Sequence, residues 1–305
     1  MGLRFVLGKS GSGKSTLVYQ EIIKKSLEHE DEDFLILVPD QFTMQTQKEF
    51  CELHPNGGIM NIDVLSFSRL AHRIFDEVYV EEKTVLDDTG KNLVIRSVAA
   101  KKEEELAILG SQLKKIGYVH EVKSMISEFM QYNIGLPELE KMIADGQGHG
   151  QLRGKLKDLA VIYEGFLAYI KESYITTEES LDILREVLER SSLIRRSTIV
   201  LDGFTGFTPV QNKLIQEMMR LCKELVVVLN IDSRDNPYVV DGEHKLFYLT
   251  KKTIASLTKL AKDVGVDRIQ DTIIKEKVTK RYENNESLAH LEHNLLKVII
   301  PPPLR

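Results

Sequence analysis

Gly8-Lys-Ser-Gly-Ser-Gly-Lys-Ser15 lies between an apolar run, Leu3 to Leu7, and a stretch, Lys14 to Leu27, whose apolar residues recur at helical spacing. The segment satisfies G-x-x-x-x-G-K-[ST] in full, and a strand before it with a helix after it is the setting in which that pattern has its chemistry. Glycines at 8, 11 and 13 allow the backbone to close around phosphate oxygens. The amides of residues 9 to 15 then converge at a helix N-terminus, where the dipole favours negative charge. Gly8, Lys9, Ser10, Gly11, Ser12, Gly13, Lys14, Ser15 and Thr16 are therefore the expected nucleotide-binding residues. Lys14 would reach the β and γ phosphates. The Ser15 hydroxyl is placed to ligate Mg²⁺, an ion that keeps several waters and takes few protein ligands. The competing reading is a glycine-rich turn that merely starts a helix.

Outward from this segment, short β-branched or aromatic runs recur at Leu3 to Leu7, Phe34 to Val38, Met60 to Leu65, Thr198 to Leu201, Leu225 to Leu229 and Arg268 to Ile274. Such unbroken apolar runs are typical of strands buried on both faces of a parallel sheet. Helical spacing fills Lys14 to Leu27, Thr43 to Leu53, Phe67 to Val78, Pro209 to Cys222 and Glu243 to Val264. Strand and helix alternate, which predicts an α/β fold.

Between Tyr79 and Arg196 the strand signal is lost and helical spacing takes over, which predicts an inserted helical domain. Val122, Met125, Ile126, Phe129 and Met130 form one i, i+3, i+4 stripe; Leu156, Leu159, Ala160, Tyr163, Phe166, Leu167 and Ile170 form another. Both read as core faces. Asp145-Gly-Gln-Gly-His-Gly150 is expected to be a flexible connection, with His149 solvated, because no second ligand stands at metal spacing. The charge runs Glu28 to Asp33 and Lys101 to Glu105 read as a solvated loop and a solvated helix face.

The chain of 305 residues is 42% hydrophobic and 29% charged, with a formal net charge of -5. This excludes a wholly basic nucleic-acid coat but leaves room for a local basic groove. The length allows about two domains. Two cysteines, Cys51 and Cys222, cannot build a disulfide framework or a metal cluster. They read as buried thiols in a reducing cytoplasmic compartment. No apolar run approaches the ~18 residues of a membrane span, so no membrane partner is expected.

A phosphate-binding loop alone does not choose among kinases, GTPases, transporters and helicases. No N/T-K-x-D base-reading segment of the GTPases is present. Ile36 to Phe50 reads ILVPDQFTMQTQKEF, and Asp63 to Phe75 reads DVLSFSRLAHRIF. These resemble the Ia and Ib motifs of superfamily 1 helicases. DGFTGFTPVQ, from Asp202 to Gln211, resembles the D-E-F-Q-D-T-N-x-x-Q motif of UvrD-like helicases: Asp202, Phe204 and Gln211 keep their places, while Gly203 replaces a carboxylate. VVVLNID, from Val226 to Asp232, takes the place of the next helicase strand without its Gly-Asp-x-x-Gln sensor. IIKEKVTKRY, from Ile273 to Tyr282, weakly resembles the motif opening the second motor domain, with Arg281 as a phosphate contact. This order of intact and degenerate motifs is similar, over essentially the whole chain, to the AddB family of bacterial DNA-processing proteins.

The resemblance implies a RecA-like ATP-binding domain formed by residues 1–78 and 197–265, and an inserted all-helical domain over 79–196. Residues 266–305 would begin a second motor domain that is cut short, the chain being the N-terminal part of a longer protein. It implies ATP and Mg²⁺ as cofactors, with Lys14 and Asp202 catalytic, Ser15 and Asp202 at the metal, and Gln211 at the nucleotide. Phe42, Thr43, Ser66, Ser68 and Arg69 would face DNA through base stacking and phosphate hydrogen bonds. Phe67 is expected in the core, and Arg73, one turn from Arg69, faces either phosphate or solvent. Family membership further implies a helicase/exonuclease that processes double-strand breaks for recombinational repair, with single- and double-stranded DNA and an AddA-type helicase/nuclease as partners. A 4Fe–4S cluster is expected only in a C-terminal nuclease that this chain does not include. Gly203 keeps a second reading open, a catalytically silent DNA-reading scaffold, because the residue that orients attacking water is missing. A small-molecule kinase with a helical lid is a third reading, in which the Ia-like and Ib-like segments have no role.

Overall fold

The computed structural model describes residues 1–80, 84–145, 150–171, 174–275 and 279–294. His149 with most of its glycine-rich connection, and residues 276–278 within IIKEKVTKRY, lie outside the described residues. In chain order the elements are β1 (Gly2–Gly8), α1 (Lys14–Glu28), β2 (Asp33–Leu37), α2 (Thr43–Leu53), β3 (Ile62–Leu65), α3 (Phe67–Val78), β4 (Thr84–Leu86) and α4 (Asp88–Lys101). Then follow α5 (Ile116–Gln131), α6 (Leu136–Asp145), α7 (Gly150–Ile170), β5 (Tyr174–Thr176), α8 (Thr177–Val187), α9 (Ser192–Arg196), β6 (Ser197–Leu201) and α10 (Pro209–Leu221). The last are β7 (Glu224–Asn230), α11 (Tyr248–Asp263), β8 (Asp267–Arg268), β9 (Thr272–Ile273) and α12 (Glu286–Asn294). The chain divides into two compact units: Met1–Leu70, Leu188–Phe207 and the residues from Ile215 onward form the first, Ala71–Val187 and Thr208–Leu214 the second.

In the first unit a seven-stranded sheet runs β3-β2-β6-β7-β1-β8, with β9 also on β1. Every pairing in it is parallel. Val6, Ile36, Val200 and Val228 on one face, and Leu7, Leu37, Leu201 and Leu229 on the other, are all buried. That two-sided burial is why these strands lack polar alternation. Val18, Tyr19, Ile22 and Ile23 of α1, with Phe50 of α2, close the first face into one apolar cluster. Each fully buried side chain of this size contributes roughly 1.5–3 kcal/mol of transfer free energy. The strand ends β2, β6, β7 and β1 lie side by side, so the segments that follow them share the carboxyl edge of the sheet. In open α/β sheets that edge is where ligands bind.

Two expectations are corrected here. Arg268 to Ile274 is not one strand: it splits into β8 and β9, and both pair with β1. The break has a local cause, since the Asp271 carboxylate accepts the Phe5 amide at 2.9 Å and replaces a ladder carbonyl. β8 and β9 thus extend the first sheet beyond β1. In addition, α11 begins at Tyr248, five residues after the expected Glu243, because turns closed by Lys245 and Tyr248 amides occupy the approach.

The second unit is not all-helical. β4 and β5 pair in parallel as a two-stranded sheet, each strand three residues long and too short to show a period in the sequence. The rest is helix, and both predicted stripes, from Val122 and from Leu156, enter one core with Ile95, Val98 and Leu139. Asp158, 2% exposed, ties a turn to α7 by accepting the amides of Ala107, Ile108 and Leu109 at 3.1, 2.7 and 2.7 Å. Lys91 and Glu178 form a buried ion pair at 2.9 Å. Burial pushes the Glu178 carboxyl up, but the Lys91 charge and hydrogen bonds outweigh it and leave the group below the usual carboxylate range. Among the described residues, no helix is long and apolar enough to cross a membrane.

Candidate functional site

The backbone between β1 and α1 is shaped by its glycines. Gly11 and Gly13 have φ of +78° and +87°, a left-handed region that side chains with a Cβ rarely adopt. Gly8 has a different reason: a Cβ there would lie 2.8 Å from the Ser12 Oγ. Gly13 is the N-cap of α1 and offers no side-chain cap, so the first-turn amides keep their donors. The loop opens into a cleft of roughly 650 Å³ whose lining includes Ser10, Gly11, Gly13, Lys14, Ser15 and Thr16. Lys9 does not line it; its ammonium pairs with Asp232 at 3.7 Å and with Glu292 at 3.3 Å.

Lys14 is buried, and both hydrogen-bond acceptors of its ammonium are neutral: the Lys9 carbonyl at 2.7 Å and the Asn230 Oδ1 at 2.8 Å. Burial lowers its pKa to about 8; the Asp202 charge opposes this and the Arg281 charge adds to it. Asp202, buried at the end of β6, lies on the same cleft. Its Oδ2 accepts the Tyr19 hydroxyl at 2.8 Å and its Oδ1 accepts the Gly203 amide at 2.8 Å. Gly203 has φ +79°, so the position expected to carry a carboxylate also has a backbone suited to glycine.

A third wall comes from the carboxyl end of the described chain. The Arg281 amide donates to the Gly11 carbonyl at 3.2 Å, and Lys280 and Arg281 both line the cleft. A Cβ on Gly11 would meet the Arg281 Cβ at 2.9 Å, so the fit between the two segments depends on that glycine. Two buried hydroxyls here, Ser12 Oγ and Thr279 Oγ1, have no hydrogen-bond partner among the described residues.

The structure thus brings Lys14, Ser15 and Asp202 together. The expected DNA-facing residues divide. Phe42 is 42% exposed at the cleft rim beside Gly203, Ser68 is half-buried and Arg69 is exposed. Thr43 and Ser66 are less accessible. Thr43 is buried and donates its hydroxyl to the Asp40 carbonyl at 3.0 Å, while Ser66 is buried and accepts the Arg69 amide at 3.4 Å as α3 begins. Both hydroxyls are used locally, as helix-start serines and threonines commonly are. Gln211 is also engaged locally. Its Oε1 accepts the Thr208 amide at 3.0 Å while the Thr208 Oγ1 accepts the Gln211 amide at 3.3 Å, a capping box for α10. It is not part of the cleft lining. Phe67 is in the core as expected, its ring 5.5 Å from Phe204. Of the two cysteines, Cys222 is buried and Cys51 only half-buried.

Sequence reasoning missed Tyr19, Asn230 and Glu49. Tyr19 stands four residues after Ser15, hence on the same face of α1. Asn230 ends the apolar run of β7 and is in register with Gly8 of the adjacent β1. Those two positions were readable from spacing, given the strand order. Glu49 lines the cleft from α2, and nothing in its neighbourhood marked it out.

Comparison with known proteins gives a consistent answer. A family model described as ADDB, N-terminal, matches residues 5–292. A protein of Lachnoclostridium phytofermentans, named as the B subunit of an ATP-dependent helicase/deoxyribonuclease, is 41% identical over 300 residues, which are 97% of this chain and 26% of that protein. Proteins of the same name from Caldanaerobacter subterraneus subsp. tengcongensis and Clostridioides difficile are 33% and 32% identical, each over 96% of this chain and 25% of their own length. The chain spans about a quarter of these relatives. With the family model running from β1 to α12, the chain belongs to the AddB N-terminal family.

Proposed function

We propose that the first unit is a RecA-like domain that binds ATP with Mg²⁺ in this cleft, as the motor-like part of an AddB-type helicase/deoxyribonuclease protein that processes DNA ends. One observation carries the reading. A buried lysine whose hydrogen-bond acceptors are both neutral stands at the start of an uncapped helix, in a cleft lined by Lys14, Lys280 and Arg281 against Asp202 and Glu49, an arrangement suited to phosphates. Lys14 and Arg281 would neutralise phosphate charge, and the amides of residues 11 to 15 would donate to phosphate oxygens. Among the described residues no cluster of three or more His, Cys, Asp or Glu side chains could hold a metal on its own. Ser15 and Asp202 suffice for Mg²⁺, which is held by few protein ligands alongside phosphates and water. When bound, the ion screens phosphate charge.

Phe42, Ser68 and Arg69 are the accessible residues for single-stranded DNA, by stacking and phosphate contact. The domain plan of residues 1–78 with 197–265 around an insertion at 79–196, an AddA-type partner and a cytoplasmic setting complete the proposal. Without a carboxylate at 203 to orient water, turnover by this cleft should be slow. That observation also favours a second reading, the silent DNA-reading scaffold. Hydrogen exchange with and without Mg-ATP tests the nucleotide site: protection confined to the amides of residues 11 to 15 supports it, and unchanged exchange there refutes it. DNA-stimulated ATP turnover in the complex, with the partner's own nucleotide site disabled, separates the readings. Rapid turnover excludes the scaffold.

A further inference from the structure

We propose that Tyr19 is a positioning residue that aims the Asp202 carboxylate at the magnesium of a bound nucleoside triphosphate, an inference that rests on the nucleotide reading of the cleft. Tyr19 is 3% exposed, yet its hydroxyl reaches the cleft lining and donates to the Asp202 Oδ2 at 2.8 Å. Its ring is fixed from behind by Phe50, with centroids 4.4 Å apart, and Phe50 is itself fully buried. The phenol is therefore held by α2 and delivered by α1, one helical turn beyond Ser15.

The geometry determines how Asp202 can act. A carboxylate offers about four acceptor directions, two on each oxygen. The Gly203 amide takes one on Oδ1 and Tyr19 takes one on Oδ2, so the plane of the group is fixed from both sides. What remains on each oxygen is available to the cleft, where metal-bound water would donate. A motor with two adjacent carboxylates can share the work of orienting water and metal. Here residue 203 has no side chain, and the fixed orientation of Asp202 matters correspondingly more. A tyrosine needed only to fill the core would not require this acceptor; phenylalanine would pack on Phe50 equally well.

The test is Tyr19→Phe in the full chain, with ATP binding measured as a function of Mg²⁺ concentration and again in excess chelator. The Mg²⁺ midpoint is expected to rise on the order of tenfold, the loss of one charge-assisted hydrogen bond, while metal-free binding is unchanged. In an Asp202→Asn background, adding Tyr19→Phe should move the midpoint no further. An unchanged midpoint in Tyr19→Phe, or an equal loss with and without metal, would overturn the proposal and leave Tyr19 a packing residue. If Asp202→Asn itself leaves the Mg²⁺ dependence untouched, the assignment of Asp202 to the metal fails first, and the Tyr19 proposal fails with it.

Discussion

The Lys14 ammonium donates to the Asn230 side-chain oxygen across 2.8 Å, joining the start of α1 to the last residue of the adjacent strand β7. The Asn230 backbone is tied in turn, its carbonyl accepting the Thr250 hydroxyl of α11 at 2.9 Å. The lysine is thus held at a strand end that is itself tied to α11. On the proposed reading, nucleotide binding would exchange its two neutral acceptors for phosphate oxygens.

That arrangement predicts a pH dependence. Burial disfavours the Lys14 charge and lowers its pKa to about 8. Phosphate favours the protonated form, so binding takes up a proton and weakens as pH rises above about 8, by at most about tenfold per pH unit. The same lowered pKa means that the unfolded chain holds this proton more tightly between about 8 and 10.5. The Lys14 contribution to stability of the free protein therefore grows with pH across that window and is lost as pH falls through about 8. Calorimetric titrations with ATP in buffers of different ionisation enthalpy read the proton uptake directly. Asn230→Ala removes an acceptor from the charged form and should move the binding midpoint to lower pH.

Gly203→Ala should destabilise the fold by about 1–2 kcal/mol, the cost of a Cβ in the left-handed region. The new Cβ would sit 3.4 Å from the Pro39 Cδ, an ordinary contact, so strain and not collision sets the size. A urea unfolding midpoint measures it. Gly203→Glu carries the same backbone cost, and added turnover would require the loop to re-form around it.

Gly11→Ala combines a left-handed φ with a 2.9 Å approach to the Arg281 Cβ. The segment from Thr279 to Asn294 should come away from the glycine-rich loop. Faster hydrogen exchange across residues 280–294, together with weaker ATP binding, is the expected result.

Lys91→Ala strands the buried Glu178 carboxylate and should cost roughly 3–5 kcal/mol. Adding Glu178→Leu to that variant should recover most of the loss, because two apolar replacements leave no unpaired charge. Denaturant unfolding of the single and double variants decides it.

Much of the first unit was legible because its signals are local and redundant. The β1–loop–α1 segment carries a motif, an apolar run and a helical period that agree, and α2 and α3 begin and end where their periodicity does. The sequence was less legible where one residue type serves two purposes. Thr208-Pro-Val-Gln211 spells both a helicase motif end and a capping box, and the fold uses it as the cap. Thr43 and Ser66 likewise stand at helix starts, where backbone demand claims hydroxyls. β4 and β5 escaped because three residues carry no period, and β8 and β9 merged because Asp271 interrupts them with a side chain and not with a turn signal. Tyr19 and Glu49 could be connected to the site only once the strand order had placed α1 and α2 beside Asp202.

The most direct measurement is an equilibrium titration of the full chain and its Lys14→Ala variant with ATP in saturating Mg²⁺. Nucleotide binding at Lys14 predicts saturable one-to-one binding by the parent and a loss of at least about tenfold in the variant, with folding retained. Equal affinity in the two proteins would contradict it.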